Sequence, residues 1–158
     1  MCQFLNELNR RSILGELYKI QALELPHADW DNGCWDLYYA NGIRTRRYCQ
    51  VYAKKELSND LKFALMALII ASYANLLAEH PGKESYKSYL WGIISNQLHN
   101  DRAIHALIVE HWCNFENSDL TEHALRYQKC PSYPDPELIF KFDTERVTAL
   151  MRSFAANR

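Results

Sequence analysis

Apolar positions in this chain recur mainly at spacings of three and four, the pattern of helices that bury one face. Phe4, Leu5, Leu8, Ile13, Leu14, Leu17 and Tyr18 follow it and predict a first helix over about residues 3–23, ended by Pro26. The longest apolar run covers 63–78 and is broken only by Ser72 and Asn75. Ala64, Ala67, Ala71, Ala74 and Ala78 line one of its faces. Phe63, Met66, Ile70, Tyr73 and Leu77 line a second, and Leu65, Ile69 and Leu76 fill a third. A helix apolar all round is buried all round, so 60–79, capped by Ser58-Asn59-Asp60, is predicted as the central post of a bundle. The run falls short of the ~20 apolar residues of a membrane span and has charged flanks, which favours a core helix and no membrane.

Beyond Pro81-Gly82, the spacing of Tyr86, Tyr89, Leu90, Ile93, Ile94 and Leu98 predicts an amphipathic helix over about 84–99. Asn100 or Asp101 caps the next, about 101–116, with Ile104, Leu107, Ile108, His111 and Phe115 inward. Asp119 followed by Glu122 resembles a capping box and starts a short helix to about Gln128. Asp135 as N-cap and Pro136 behind it launch a last helix toward Phe154.

Residues 34–49 admit two readings. Asn41-Gly42 is the strongest short hairpin signal, and a hairpin would set Asp36 opposite Arg47, Cys34 opposite Cys49 and Trp35 opposite Tyr48. Equally, Tyr48, Val51, Tyr52 and Leu57 fit a helical stripe, giving two short helices with Gly42 as the residue that ends the first. The fold class expected is mainly α: a single-domain bundle of five to six helices around 60–79, with a β-hairpin at 34–49 under the first reading. No internal repeat or composition shift marks a second domain across 1–158.

Composition adds little to this picture, but charge adds something. Hydrophobic residues are 48% and charged residues 23% of 158, ordinary for a globular domain, which excludes disorder and a collagenous chain. The net charge of −1 conceals opposed segments. Residues 24–36 carry Glu24, Asp29, Asp31 and Asp36 with no Lys or Arg, beside Trp30 and Trp35. Residues 43–55 carry Arg44, Arg46, Arg47, Lys54 and Lys55 with no acid, and 101–123 carry five acids against Arg102. Acids beside aromatic anchors suit a basic protein partner. The partner-binding residues expected are therefore Asp29, Trp30, Asp31, Trp35, Asp36, Asp101, Glu110, Glu116 and Asp119. The alternative is a nucleic-acid patch at Arg44, Arg46, Arg47, Lys54 and Lys55, disfavoured because such binding rests on surplus positive charge.

Catalytic and metal signatures are missing. In 99–123, Asp101–His105 and Asp119–His123 have helical i,i+4 spacing, but His99, His105 and His111 step by six and point in different directions. Asp101–His105 reads as a surface ion pair and His111 as a core histidine. The only E-x-x-H, Glu24 to His27, contains Pro26, and there is no H-E-x-x-H, G-x-S-x-G or P-loop. An Asp29-Trp30-Asp31-Asn32-Gly33 calcium loop would need Glu where Ala40 stands. The five cysteines (2, 34, 49, 113, 130) include no C-x-x-C pair and read as free thiols in a reducing cytoplasm. Glu7 interrupts the apolar start, unlike an export signal. The expectation is no enzyme, no metal and no cofactor.

The stretches Arg47-Tyr48-Cys49-Gln50-Val51-Tyr52, Leu57-Ser58-Asn59-Asp60-Leu61-Lys62-Phe63-Ala64-Leu65-Met66, Ala103-Ile104-His105 and His111-Trp112 resemble the small helical immunity proteins of bacterial toxin–immunity pairs. The likeness covers residues 43–116 and lies in size and helical texture; it transfers no functional residue. It implies a cytoplasmic, non-enzymatic inhibitor that occupies a toxin domain's active site. The near-neutral charge departs from a strongly acidic nuclease inhibitor and leaves the toxin's activity open.

Overall fold

Fifteen consecutive residues, Phe63 to Leu77, are buried, and the rest of the molecule is arranged around them. The structure, a computed structural model, describes residues 7–25, 35–116 and 141–157. Regular structure among the described residues is helical: α1 (Glu7–Tyr18), α2 (Trp35–Tyr39), α3 (Thr45–Lys54), α4 (Asn59–Glu79), α5 (Glu84–Asn100), α6 (Arg102–Cys113) and α7 (Thr144–Ala156), with 3-10 turns at Gln21–Leu23 and Gly42–Arg44. Helix α4 packs against all six other helices. It is long and apolar enough to cross a membrane, yet 78% of its most apolar window is buried inside the fold. Ser58 caps it, its side chain accepting the Leu61 N–H at 3.3 Å.

The two polar interruptions of α4 are what catch the rest of the chain. A buried hydroxyl or carboxamide must find partners, and both do so in backbone. Ser72 Oγ accepts the Asn41 N–H at 3.0 Å and Asn75 Oδ1 accepts the Gly42 N–H at 2.9 Å. Asn75 Nδ2 donates to the Lys141 carbonyl at 3.0 Å, and the Asp143 N–H donates to the Ala74 carbonyl at 3.0 Å. One side chain thus fixes two segments nearly 100 residues apart in sequence.

These contacts settle the described part of the segment, residues 35–49. The segment is α2, a turn and α3, so the hairpin reading is corrected in favour of two short helices. Gly42 is not a helix-ending residue in the left-handed region, as that reading supposed. It opens the 3-10 turn, and a Cβ there would sit 2.6 Å from Leu76 N and 2.7 Å from Leu76 Cα. The glycine is needed because the turn's backbone lies directly on α4. Arg47 pairs with Glu24 rather than with Asp36.

The ends of the first and last helices add detail to the expectation. Helix α1 ends at Tyr18, and the chain passes through extended Ile20 into the 3-10 turn, whose end Glu24 is left-handed (φ 49°). The last helix starts at Thr144, with Asp143 as cap accepting the Arg146 N–H at 3.1 Å, just after the stretch whose Lys141 carbonyl and Asp143 N–H bond α4. The start predicted at Asp135-Pro136 and the short helix from Asp119 lie outside the described residues. Glu84, at the start of α5, bonds both Arg146 of α7 and the buried Lys87 ammonium, the latter at 3.5 Å.

Candidate functional site

The densest polar cluster joins α3, α4 and α6. Tyr52 Oη lies 2.6 Å from Asp101 Oδ2 and 2.6 Å from His105 Nε2, and Lys62 Nζ lies 3.1 Å from both Asp101 oxygens. Tyr52 comes from the last turn of α3, Lys62 from the first turn of α4, and Asp101 and His105 from the start of α6. Asp101 occupies the N-cap position of α6 without capping it, because its carboxylate is turned toward Tyr52 and Lys62.

Proton positions follow from the partners. The Tyr52 hydrogen bond, then Lys62, holds the Asp101 carboxyl below the usual carboxylate range, so it is ionised and can only accept. Tyr52 therefore donates to Asp101 and accepts from His105 Nε2–H. Nδ1 of His105 is then an acceptor, and it is buried with no partner. Burial pushes His105 down to about 4, and burial with Asp101 beside it pushes the Tyr52 phenol up. The cluster is a neutral-His tie between helices, with neither His105 nor Tyr52 poised to exchange a proton near neutrality.

This cluster forms one wall of an open groove of about 940 Å³ between α3, α4 and α5. Tyr52, Lys55, Lys62 and Asp101 line one part; Tyr89, Gly92, Ile93, Asn96, Gln97 and Asn100 of α5 line the other. Tyr89 is 54% exposed. Nothing lies within 4 Å of the place a Gly92 Cβ would occupy. Gln97 Nε2 donates to the Cys49 carbonyl at 3.0 Å, while its Oε1 is buried without a partner.

A second surface is the outer face of α6. His105, Ile108, Val109 and Trp112 are its buried stripe, which turns Leu107 outward to 58% exposure. Ala103, Ala106 and Glu110 are exposed beside it. Leu107 was expected inward, and the surface ion pair expected of Asp101–His105 is corrected: His105 is wholly buried against Tyr52, on the same stripe as Ile108 and Trp112. His111 is half-buried, edge-on to Phe115 at 5.2 Å. Trp112 stacks on Phe115 at 4.9 Å, and Arg152 of α7 donates to the Cys113 carbonyl.

The expected partner-binding residues divide. Glu110 and Glu116 are exposed. Asp101 is engaged within the fold. Asp36 is buried at 8% exposure, so it is not a surface acid; burial pushes its carboxyl up to about 6, and Oδ1 has no partner. Trp35 opens α2, while Asp29, Trp30, Asp31 and Asp119 lie outside the described residues. In the basic stretch, Arg44 and Arg47 both bind the Glu24 carboxylate at 3.1 and 2.9 Å. Arg44 also donates to the Glu24 carbonyl at 2.8 Å. Arg46, Lys54 and Lys55 are exposed. No group of three or more His, Cys, Asp or Glu that could hold a metal occurs among the described residues. Burial pushes the Cys49 thiol up to about 12.

The groove and the outward Leu107 escaped the sequence reading. Tyr89 and Leu107 both sit at positions where helical spacing allows either face, and each was placed in the core. The usable signal was three- to four-residue spacing from the strongest anchors, Leu90-Ile94-Leu98 and Ile108-Trp112, which leaves Tyr89 and Leu107 off the buried stripe. No family model, curated protein or solved structure matches this chain.

Proposed function

We propose that this protein is a non-enzymatic protein-binding module, an antidote that docks on a basic toxin domain in the cytoplasm and blocks it. The observation that carries this reading is the outer face of α6. A large aliphatic side chain, Leu107, stands 58% exposed beside exposed Ala103 and Ala106, with the Glu110 carboxylate one turn on. An exposed apolar anchor with a carboxylate beside it is an arrangement in which burial supplies affinity and charge supplies encounter rate.

Two further observations support it. The titratable cluster at the groove is tuned away from neutrality, unlike a general acid or base working near pH 7. Two of the five bases of the basic stretch are held by Glu24, which weighs against a nucleic-acid patch. The test is to mix the full chain with the polypeptide encoded by the adjacent gene and to co-express the two. A one-to-one complex on size exclusion, with growth arrest by the polypeptide relieved by the chain, is the expected result. Growth arrest unaffected by the chain, with no complex formed, overturns the proposal.

A further inference from the structure

The groove between α3, α4 and α5 has a chemistry separate from the α6 face around Leu107. We propose that it is a binding site for an extended peptide segment carrying an apolar residue and, a few positions along, an acidic one. Four features of α5 and its neighbours argue for this occupant.

The first is register. Gly92, Asn96 and Asn100 succeed one another at four-residue steps on α5, and all three line the groove and are exposed. One such step is about 6 Å along a helix. Alternate residues of an extended chain lie about 6.6 Å apart. A peptide running along α5 therefore presents equivalent backbone units to Asn96 and Asn100 in turn. The second is complementarity. A carboxamide offers an acceptor and two donors, matching the N–H and C=O of one peptide unit. The side chains of Asn96 and Asn100 make no hydrogen bond with the described residues, so these groups are open to a ligand.

The third is the platform. Open space over Gly92, between the exposed Tyr89 ring and half-buried Ile93, leaves room for an apolar side chain. The fourth is charge. Lys62 is matched by Asp101, whereas Lys55, just past the end of α3, lines the groove with no ion partner among the described residues and leaves it one positive charge. From Tyr89 to Asn100 the groove runs about 16 Å, the length of about five extended residues.

The experiment pans a random seven-residue peptide library, displayed on phage, against the full chain. Enriched sequences are then synthesised with blocked ends and a fluorescent label and titrated by anisotropy. The expected consensus pairs an apolar with an acidic residue. Asn96→Ala/Asn100→Ala weakens binding on the order of tenfold or more. Gly92→Phe abolishes it by filling the platform, and Lys55→Glu removes the preference for acid. These positions are exposed, so circular dichroism stays at wild type and melting is not appreciably lowered. Leu107→Glu leaves peptide affinity unchanged, which separates this site from the α6 face. Failure to enrich any sequence, equal affinity for the double variant, or capture of a labelled oligothymidylate in preference to peptide overturns the proposal.

Discussion

Asp36→Asn should change not merely the stability of this protein but the shape of its pH dependence. The Asp36 carboxyl is buried in α2 and pushed from 3.8 to about 6. Between those values the folded state holds a proton that the unfolded chain has released, so stability falls as pH rises. At ~1.4 kcal/mol per decade the loss is about 3 kcal/mol, complete above pH 6. His105 acts in the opposite sense over nearly the same range. Its ring moves from 6.5 to about 4 on burial, so the unfolded chain holds the extra proton and stability rises by about 3 kcal/mol between those values. The two contributions cancel between pH 4 and 6.

Removing one should unmask the other. Urea unfolding followed by circular dichroism at half-unit steps from pH 4 to 7.5 gives the curves. The difference between Asp36→Asn and wild type isolates Asp36, because groups such as Asp101 titrate alike in both. The variant carries a constant cost for its unpartnered amide nitrogen, but that cost does not vary with pH. Relative to wild type it should gain about 3 kcal/mol across the range. A difference curve that is flat from pH 4 to 7 refutes the buried, ionisable environment assigned to Asp36.

Three other outcomes follow from the packing around α4 and α3. Gly42→Ala drives a Cβ to 2.6 Å from the Leu76 backbone nitrogen and should lower stability by about 2 kcal/mol or more, read as a lower Tm. Asn75→Leu strands the Gly42 N–H and the Lys141 carbonyl together and should cost about 2–4 kcal/mol, with faster amide exchange at Gly42. In iodoacetamide footprinting read by mass spectrometry, Cys113 should label in the native protein, while Cys49, buried and pushed up to about 12, should label only after denaturant is added.

The architecture was legible in the sequence where one physical signal dominated. Helix α4 is apolar on every face, so its burial and its role as the post followed from composition alone. Its Ser58 cap followed from residue type. Ser72 and Asn75 were visible as interruptions, but their partners lie 31 and 66 positions away, beyond any local pattern. Asn41-Gly42 carried a hairpin signal that tertiary contact overrode: the glycine answers to the surface of α4, not to a turn of positive φ. In α6 the buried stripe includes His105, bonded to Tyr52, and a polar residue at a buried position is invisible to a count of apolar spacings. The charge segments were read correctly as sequence, yet folding sets Glu24 against Arg44 and Arg47 and buries Asp36. Of the acids expected to meet a partner, Glu110 and Glu116 are the exposed ones among the described residues.

The antidote reading meets its most direct test in association kinetics between the chain and the polypeptide encoded beside it, measured by stopped flow across a salt series. Leu107→Glu should raise the dissociation rate on the order of tenfold or more, because it places a charge at the apolar anchor. Glu110→Lys should slow association several-fold at low salt, with the difference fading as the Debye length shrinks. Rates unchanged in both variants at every salt concentration would contradict the assignment of the α6 face as the docking surface.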